Sequence, residues 1–397
     1  MKILITTEWY SPVINGVVTS VINLKKELER LGHEVKILTL SEEKKSYTKK
    51  DIFYISSLGV GKIYPGARIT LSKHNKLLQE IIDWHPDIIH SQCEFSTFRL
   101  AKHLSRQLHI PIVHTYHTVY EDYTHYFSPN QKWGKAMVAL FSKKVLKHTT
   151  NVIAPTEKVN KLLVGYGVKR PISVIPTGID LTKFQQSIKK AELHKLRIKL
   201  GIPKENKILL FVGRLAKEKN VEEILYYLKK WNPKTTTFLI VGDGPYRETL
   251  ENYVATNHIQ SMVKFAGMIK PSQIAAYYQL ADVFISASNS ETQGLTYIEA
   301  MASGLPLLCK QDPCLDHVII DGYNGWQFSS YGAFHCYINQ LFQTLHLHEY
   351  MVNNAKERAY AHYSSVIFAK SVEALYYDAI SLYKMRPQPV TILDSHS

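Results

Sequence analysis

The stretch Phe211-Val212-Gly213-Arg214-Leu215-Ala216-Lys217-Glu218-Lys219-Asn220 sets three cations, Arg214, Lys217 and Lys219, between a predicted strand and a predicted helix. The strand ends at Gly213, and the helix starts near Asn220, its candidate N-cap. Cations beside the positive end of a helix suit a diphosphate. The competing reading is a solvated basic loop, with Glu218 a candidate partner for one cation. A second stretch, Ser288 to Met301, places Glu291 before a predicted helix, Tyr297–Ser303, and Glu299 within it. One carboxylate accepts from two vicinal hydroxyls, so these acids fit the diols of a ribose and a hexose. They equally fit a capped helix with two surface acids. Gly294 permits close backbone approach, so nearby amides suit phosphate oxygens. Val241-Gly242-Asp243-Gly244-Pro245 reads first as a turn and second as a ligand contact at Gly242.

The N-terminal half offers fewer charged candidates. Asn15-Gly16-Val17 follows the first strand without a full GxGxxG pattern, which argues against a nicotinamide cofactor. Gly16 still leaves room for a phosphate at the first helix. His114-Thr115-Tyr116-His117-Thr118 follows the strand Ile110–Val113, so His117 falls at a carboxyl end. The four cysteines, Cys93, Cys309, Cys314 and Cys336, form no CxxC pair and no zinc-like spacing, so they read as buried, reduced thiols.

The elements that position these residues alternate along the chain. Lys2–Thr7, the helix Val17–Leu31 and Val35–Leu40 make a βαβ unit. Asp87–His90, Phe98–Leu108, Ile110–His114, Asn151–Ala154 and Val174–Pro176 continue it. Lys207–Val212, Phe238–Val241, Val263–Ala266, Val283–Ser286 and Pro306–Leu308 are the strands of a second α/β region. The expected architecture is α/β: two doubly wound Rossmann-like domains, 1–180 and 181–373, with a cleft between them. A final helix over Ala374–Lys384, reaching about 374–390, is expected to pack back on the first domain.

The net charge of +14 is uneven: residues 1–180 carry 25 Lys+Arg and 15 Asp+Glu, the remainder 23 and 19. A basic half points to an anionic partner or to a solubilising surface. RNA-binding motifs are absent, so nucleic acid is not the expected partner. No apolar run suits a membrane span, and MKILITTEWY reads as a strand, not a leader. The expected location is cytoplasmic.

Together these pieces resemble the GT-B, retaining glycosyltransferases of family 4 over nearly the whole chain. Glu291 and Glu299 match that family's E-x7-E signature, GRLAKEKN its phosphate-binding loop, and SGLPLL follows the second Glu as expected. YSPVINGVVTSVINL, HTYHTVYEDYTHYFSP and IPTGID are similar to the bacterial 1,2-diacylglycerol 3-glucosyltransferases, or monoglucosyldiacylglycerol synthases. The stretch Tyr120–Pro129 carries most of that acceptor assignment. The resemblance implies Gly16 beside the donor diphosphate and His117 at the transferred sugar. Arg214 and Lys219, flanked by Gly213 and Gly242, would neutralise the leaving group. Glu291 would hold sugar hydroxyls, with Gly294 and Leu295 offering backbone amides, and Glu299 would bind the ribose. The family often has Phe before the glycine that follows the first Glu; Gln293 stands here instead.

The implied reaction moves glucose from UDP-glucose to diacylglycerol with retention. It needs no tightly bound cofactor or metal; Mg2+ stimulation is left open, as is the oligomeric state. Soluble, phosphatidylinositol-like or polyprenyl-linked acceptors and UDP-galactose are the alternatives. A lipid acceptor calls for peripheral contact with the inner face of the cell membrane and its anionic lipids. Lys132–Lys147 reads as a basic amphipathic helix carrying Lys132, Trp133, Lys135, Phe141, Lys143, Lys144 and Lys147. Lys62, Arg68, Lys73 and Lys76 add charge.

Overall fold

The computed structural model describes residues 1–13, 15–43, 45–59, 68–70, 75–121, 130–289 and 291–385. The chain forms two compact units. Met1–Pro155, Val159–Ile175 and the chain from Phe368 onward make the first; Thr156–Lys158 and Pro176–Ile367 make the second.

In the first unit the strands are β1 (Lys2–Thr6), β2 (Glu34–Ser41), β3 (Tyr47–Lys49), β4 (Ile52–Ser56), β5 (Leu58–Gly59), β6 (Arg68–Ile69), β7 (Ile88–Ser91), β8 (Ile112–Thr115), β9 (Asn151–Ala154) and β10 (Ile172–Val174). Eight of them form one sheet in the order β10-β9-β8-β7-β1-β2-β4-β3, while β5 and β6 pair separately. Among the described residues, only β3 runs antiparallel within the large sheet. Ile3, Leu4 and Ile5 of the central strand are buried on both faces, as a parallel sheet covered by helices requires. The helix Gly16–Arg30 buries Val18, Val21, Leu24 and Leu28, and its start is capped by Asn15, whose side chain accepts from Val18 N at 2.8 Å.

The terminal helix runs Ser365–Lys384 and starts well before the expected Ala374. Phe368, Ala369 and Val372 supply its first apolar turns, and with Leu375, Tyr376 and Ala379 they pack against Ile3, Val21, Ile37 and Ile88. Lys370 and Ser371 interrupt those turns in the sequence and hide the start. Residues beyond Met385 lie outside the described residues.

The second unit holds β11 (Lys207–Val212), β12 (Thr236–Val241), β13 (Val263–Gly267), β14 (Val283–Ser286), β15 (Leu307–Lys310) and β16 (Gly325–Phe328), all parallel, in the order β13-β12-β11-β14-β15-β16. The strands β3 and β16 are short and interrupted by polar residues or glycine, which hides them from a search for apolar runs, whereas β4 carries the run Ile52-Phe53-Tyr54-Ile55 and is absent from the expected strands all the same. Against the expected division at residue 180, residues 176–180 and Thr156–Lys158 sit with the second unit.

Candidate active site

In the second unit, the strand order reverses between β11 and β14, and the loops after these two strands meet. Such a switch point is where open α/β sheets bind ligands. Asn289 N–H donates to the Glu218 carbonyl at 3.1 Å, which ties the loop after β14 to the basic loop after β11. Lys217–Lys219 forms a 3-10 turn, followed by the helix Val221–Trp231. Lys219 donates to Glu291 Oε1 at 2.5 Å, and Arg214 to Glu218 Oε1 at 2.5 Å. The expected pairing of Glu218 is therefore with Arg214. Lys217 is exposed.

Asn220 departs from its expected role. It occupies the N-cap position with φ 51°, in the left-handed region, and makes no side-chain cap bond. Its amide Nδ2 instead donates to Glu223 Oε2 at 2.5 Å. Asn tolerates this backbone conformation better than most residues, so it serves the turn and not the cap.

Two glycines shape the loops. A Cβ on Gly242 would lie 1.9 Å from the Gly213 carbonyl, so the loops after β11 and β12 touch through their backbones. Gly242 N–H is spent on the Gly267 carbonyl at 2.9 Å. Gly242 thus supports the basic loop by close packing. Gly294 adopts φ 74°, and a Cβ there would meet the Tyr297 ring at 2.2 Å. Tyr297 OH bonds Ser286 Oγ at 2.8 Å, which fixes the start of the helix Leu295–Ala302. Tyr297 N–H is spent on the Gly294 carbonyl at 3.1 Å, and the Leu295 and Thr296 amides at the start of that helix suit an anion.

Glu299 lies inside the same helix. Its Oε2 accepts from Tyr278 OH at 2.8 Å, and Lys183 Nζ stands 3.7 Å from Oε1. Burial raises its pKa, while Lys183 and Tyr278 pull it back. Lys183 and Tyr278 carry no sequence motif, and tertiary packing alone brings them to Glu299.

In the first unit, His117 is half-buried after β8. Its Nε2–H donates to Gln92 Oε1 at 2.6 Å, which leaves Nδ1 as the accepting nitrogen. Burial, with His114 beside it, pushes its pKa down to about 3, so the ring is neutral near pH 7. His114 is fully buried and donates from Nε2 to Glu94 Oε1 at 3.2 Å, and Tyr120 OH donates to Glu94 Oε2 at 2.5 Å. Glu8 Oε1 accepts from Thr97 N–H at 2.7 Å, at the start of the helix Ser96–Leu108. The sequence gives no sign of the roles of Gln92, Glu94 and Glu8. Gly16 opens the helix Gly16–Arg30.

The basic helix runs Gln131–Leu146. Trp133, Met137 and Leu140 are 71%, 57% and 69% exposed and share one stripe, with Lys132, Lys143 and Lys144 also exposed. Phe141, expected on that stripe, is instead half-buried and stacked on Phe95 at 5.6 Å. Lys135 pairs with Glu121 at 3.1 Å. Arg68 does not extend the basic surface: its guanidinium donates to the Ser41, Glu42 and Ser57 carbonyls and to Ser57 Oγ. Lys76 and Lys147 are exposed. Lys62, Lys73, Ser290 and residues 122–129 lie outside the described residues. Cys93, Cys309 and Cys314 are buried as expected, but Cys336 is exposed, because its helix Tyr331–Gln343 packs through Phe334, Ile338 and Leu341. Among the described residues, no helix is long and apolar enough to cross a membrane.

The family model Glycosyltransferase Family 4 matches residues 14–183, and that for Glycosyl transferases group 1 matches 194–358. The Alpha-monoglucosyldiacylglycerol synthase of Streptococcus pneumoniae (strain ATCC BAA-255 / R6) is 38% identical over 387 residues, covering 96% of this chain and 86% of the relative. Its namesake from Acholeplasma laidlawii is 33% identical, covering 96% and 98%. Among solved structures, Anabaena Alr3699/HepE in complex with UDP and glucose superposes with a TM-score of 0.73 at 17% identity, covering 95% of this chain and all of that one. The glycosyltransferase from Rickettsia africae ESF-5 gives 0.75 at 20% identity, covering 96% and 98%.

Proposed function

Because the chain belongs to glycosyltransferase family 4 and is a hexosyltransferase of GT-B fold, we propose that it moves glucose from UDP-glucose to the free hydroxyl of 1,2-diacylglycerol at a membrane surface, with retention. The observation that carries this reading is the ready-made pairing of Lys219 with Glu291, beside the start of the helix Leu295–Ala302. On donor arrival, Lys219 turns to the diphosphate and Glu291 is released to the hexose hydroxyls. Arg214 and the helix amides share the phosphate charge as the glycosidic bond breaks. Glu299, already accepting from Tyr278, takes the ribose diol. The acceptor oxygen attacks on the face that the diphosphate leaves, and a phosphate oxygen takes its proton. His117 acts as an uncharged partner for the transferred sugar, through its free Nδ1.

The diacylglycerol acceptor is supported by the names of the relatives and by the exposed Trp133, Met137 and Leu140 among lysines. An apolar stripe flanked by cations lies in a lipid interface and is drawn to anionic headgroups. The test is direct: UDP-[14C]glucose with diacylglycerol in vesicles containing phosphatidylglycerol should yield labelled monoglucosyldiacylglycerol with an α linkage. Label appearing only in water-soluble or polyprenyl products would sink the acceptor assignment.

A further inference from the structure

The loop that presents Glu291 is held from behind by segments distant in sequence. Thr156 Oγ1–H donates to the Thr292 carbonyl at 2.9 Å. Lys158 Nζ donates to the Glu291 carbonyl at 3.3 Å, and to Asp312 Oδ1 and Oδ2 at 2.9 and 3.0 Å. The Gln293 amide makes a reciprocal pair with the Thr177 backbone: Oε1 accepts from its N–H at 2.7 Å, and Nε2 donates to its carbonyl at 2.8 Å. Gln293 and Thr177 are both buried, so water competes poorly for these bonds. A phenylalanine at position 293 would make none of them.

The two holding segments share a place in the chain. Thr156–Lys158 belongs to the second unit although its neighbours on both sides belong to the first, and Pro176 begins the main stretch of the second unit. Both clamps therefore stand where the backbone passes from one unit to the other. None of these bonds uses the Glu291 carboxylate, which is left to Lys219.

We propose that Gln293 and Lys158 are positioning residues for the sugar-gripping carboxylate: they tie the Glu291 loop to the two chain passages and so fix that carboxylate opposite Lys219. The proposal rests on the donor reading above. The UDP part of the donor is assigned to Glu299, Arg214, Lys219 and the helix start, and none of the clamp bonds uses the side chain of Glu299, Arg214 or Lys219. Loosening the clamp should thus cost sugar transfer and spare UDP binding.

The test uses the full-length enzyme with Gln293→Leu, Lys158→Met and Lys158→Arg. A displaced catalytic carboxylate costs about 10- to 100-fold, and kcat/KM for UDP-glucose should fall by that much in Gln293→Leu and Lys158→Met. The inhibition constant for UDP should stay within about twofold of the parent. Lys158→Arg, which keeps the cation, should recover most of the rate. Unchanged kcat/KM in both variants would overturn the proposal. So would a UDP inhibition constant that rises in step with the loss, because the clamp would then merely hold the unit together. A failure of the donor reading shows separately, as a parent enzyme that does not turn over UDP-glucose.

Discussion

The groups near the carboxyl ends of β11 and β14 in the second unit differ in charge from those near the carboxyl ends of β1, β7 and β8 in the first. In the second unit, Lys219 faces Glu291, Arg214 faces Glu218 and Lys183 faces Glu299, all with some access to solvent. In the first, burial acts on groups without an opposing lysine or arginine, whereas in the second Lys183 offsets the burial of Glu299. Burial in the first unit holds His90 well below its ordinary range, takes His117 down to about 3 and, with Glu94 adding to it against the Thr97 hydrogen bonds, lifts Glu8 to about 7. Desolvation disfavours the charged form of either kind of group. The contrast matches the proposed substrates. Ion pairs can exchange partners with an incoming dianion, whereas the uncharged ring of His117 suits a neutral hydroxyl on a lipid.

The sharpest way to break this comparison is to remove a charge from the second unit. Lys219→Ala deletes the cation assigned to the leaving group and leaves Glu291 without its partner. Loss of one such group costs about 10²- to 10³-fold in kcat. Steady-state rates at saturating UDP-glucose measure it, and a loss under about fivefold would show that the pair is structural.

The corresponding test in the first unit removes a proton that burial retains. Between about pH 4.5 and 7, folded Glu8 keeps its proton while the unfolded chain has lost it. The native state then binds more protons, so this group lowers stability as pH rises through that window and makes no further change above it. The full effect is about 3 kcal/mol. Glu8→Gln keeps an oxygen for Thr97 and cannot ionise. Its stability relative to the parent should therefore improve from pH 5 to pH 8, read from urea midpoints. The opposite slope from the neutral histidines is common to both proteins and cancels. A variant that parallels the parent across this range would show that Glu8 is ionised when folded.

Glu299→Ala comes next. It removes a carboxylate held by Tyr278 and approached by Lys183. A lost hydrogen bond to a charged group costs about 1.5–3 kcal/mol, so UDP should bind about 10- to 100-fold more weakly by titration calorimetry. Unchanged UDP affinity would remove Glu299 from the ribose site.

Much of this was legible in the sequence, for identifiable reasons. β9, β11 and β14 carry the apolar runs 152–154, 208–212 and 283–285, and Glu291 and Glu299 flank a helix start that Gly294 announces. What was hidden depends on tertiary contacts. Nothing near Glu299 in sequence foretells Tyr278 or Lys183, and nothing near Glu291 foretells Lys158. Local rules also failed at particular residues. Asn220 looked like a cap and serves a left-handed turn, Arg68 looked like surface charge and braces three carbonyls, and Phe141 fits an apolar stripe by composition but turns inward to Phe95.

The smallest effects belong to the lysines of the helix Gln131–Leu146, and they separate free from committed charge. A lysine near an anionic leaflet contributes about 1 kcal/mol, so Lys144→Ala should weaken binding to phosphatidylglycerol vesicles about fivefold. Lys135 already faces Glu121 at 3.1 Å, and the pair carries no net charge toward the membrane. Lys135→Ala uncovers that carboxylate, so the two outcomes diverge. If only net charge matters, Lys135→Ala weakens binding as much as Lys144→Ala does. If headgroups need an uncommitted ammonium, Lys135→Ala costs less than about twofold. The second outcome is expected, because Lys135 would have to give up Glu121 to reach a headgroup. Sedimentation with vesicles at low and high salt decides it: screening should erase the Lys144 effect while leaving the contribution of Trp133 intact.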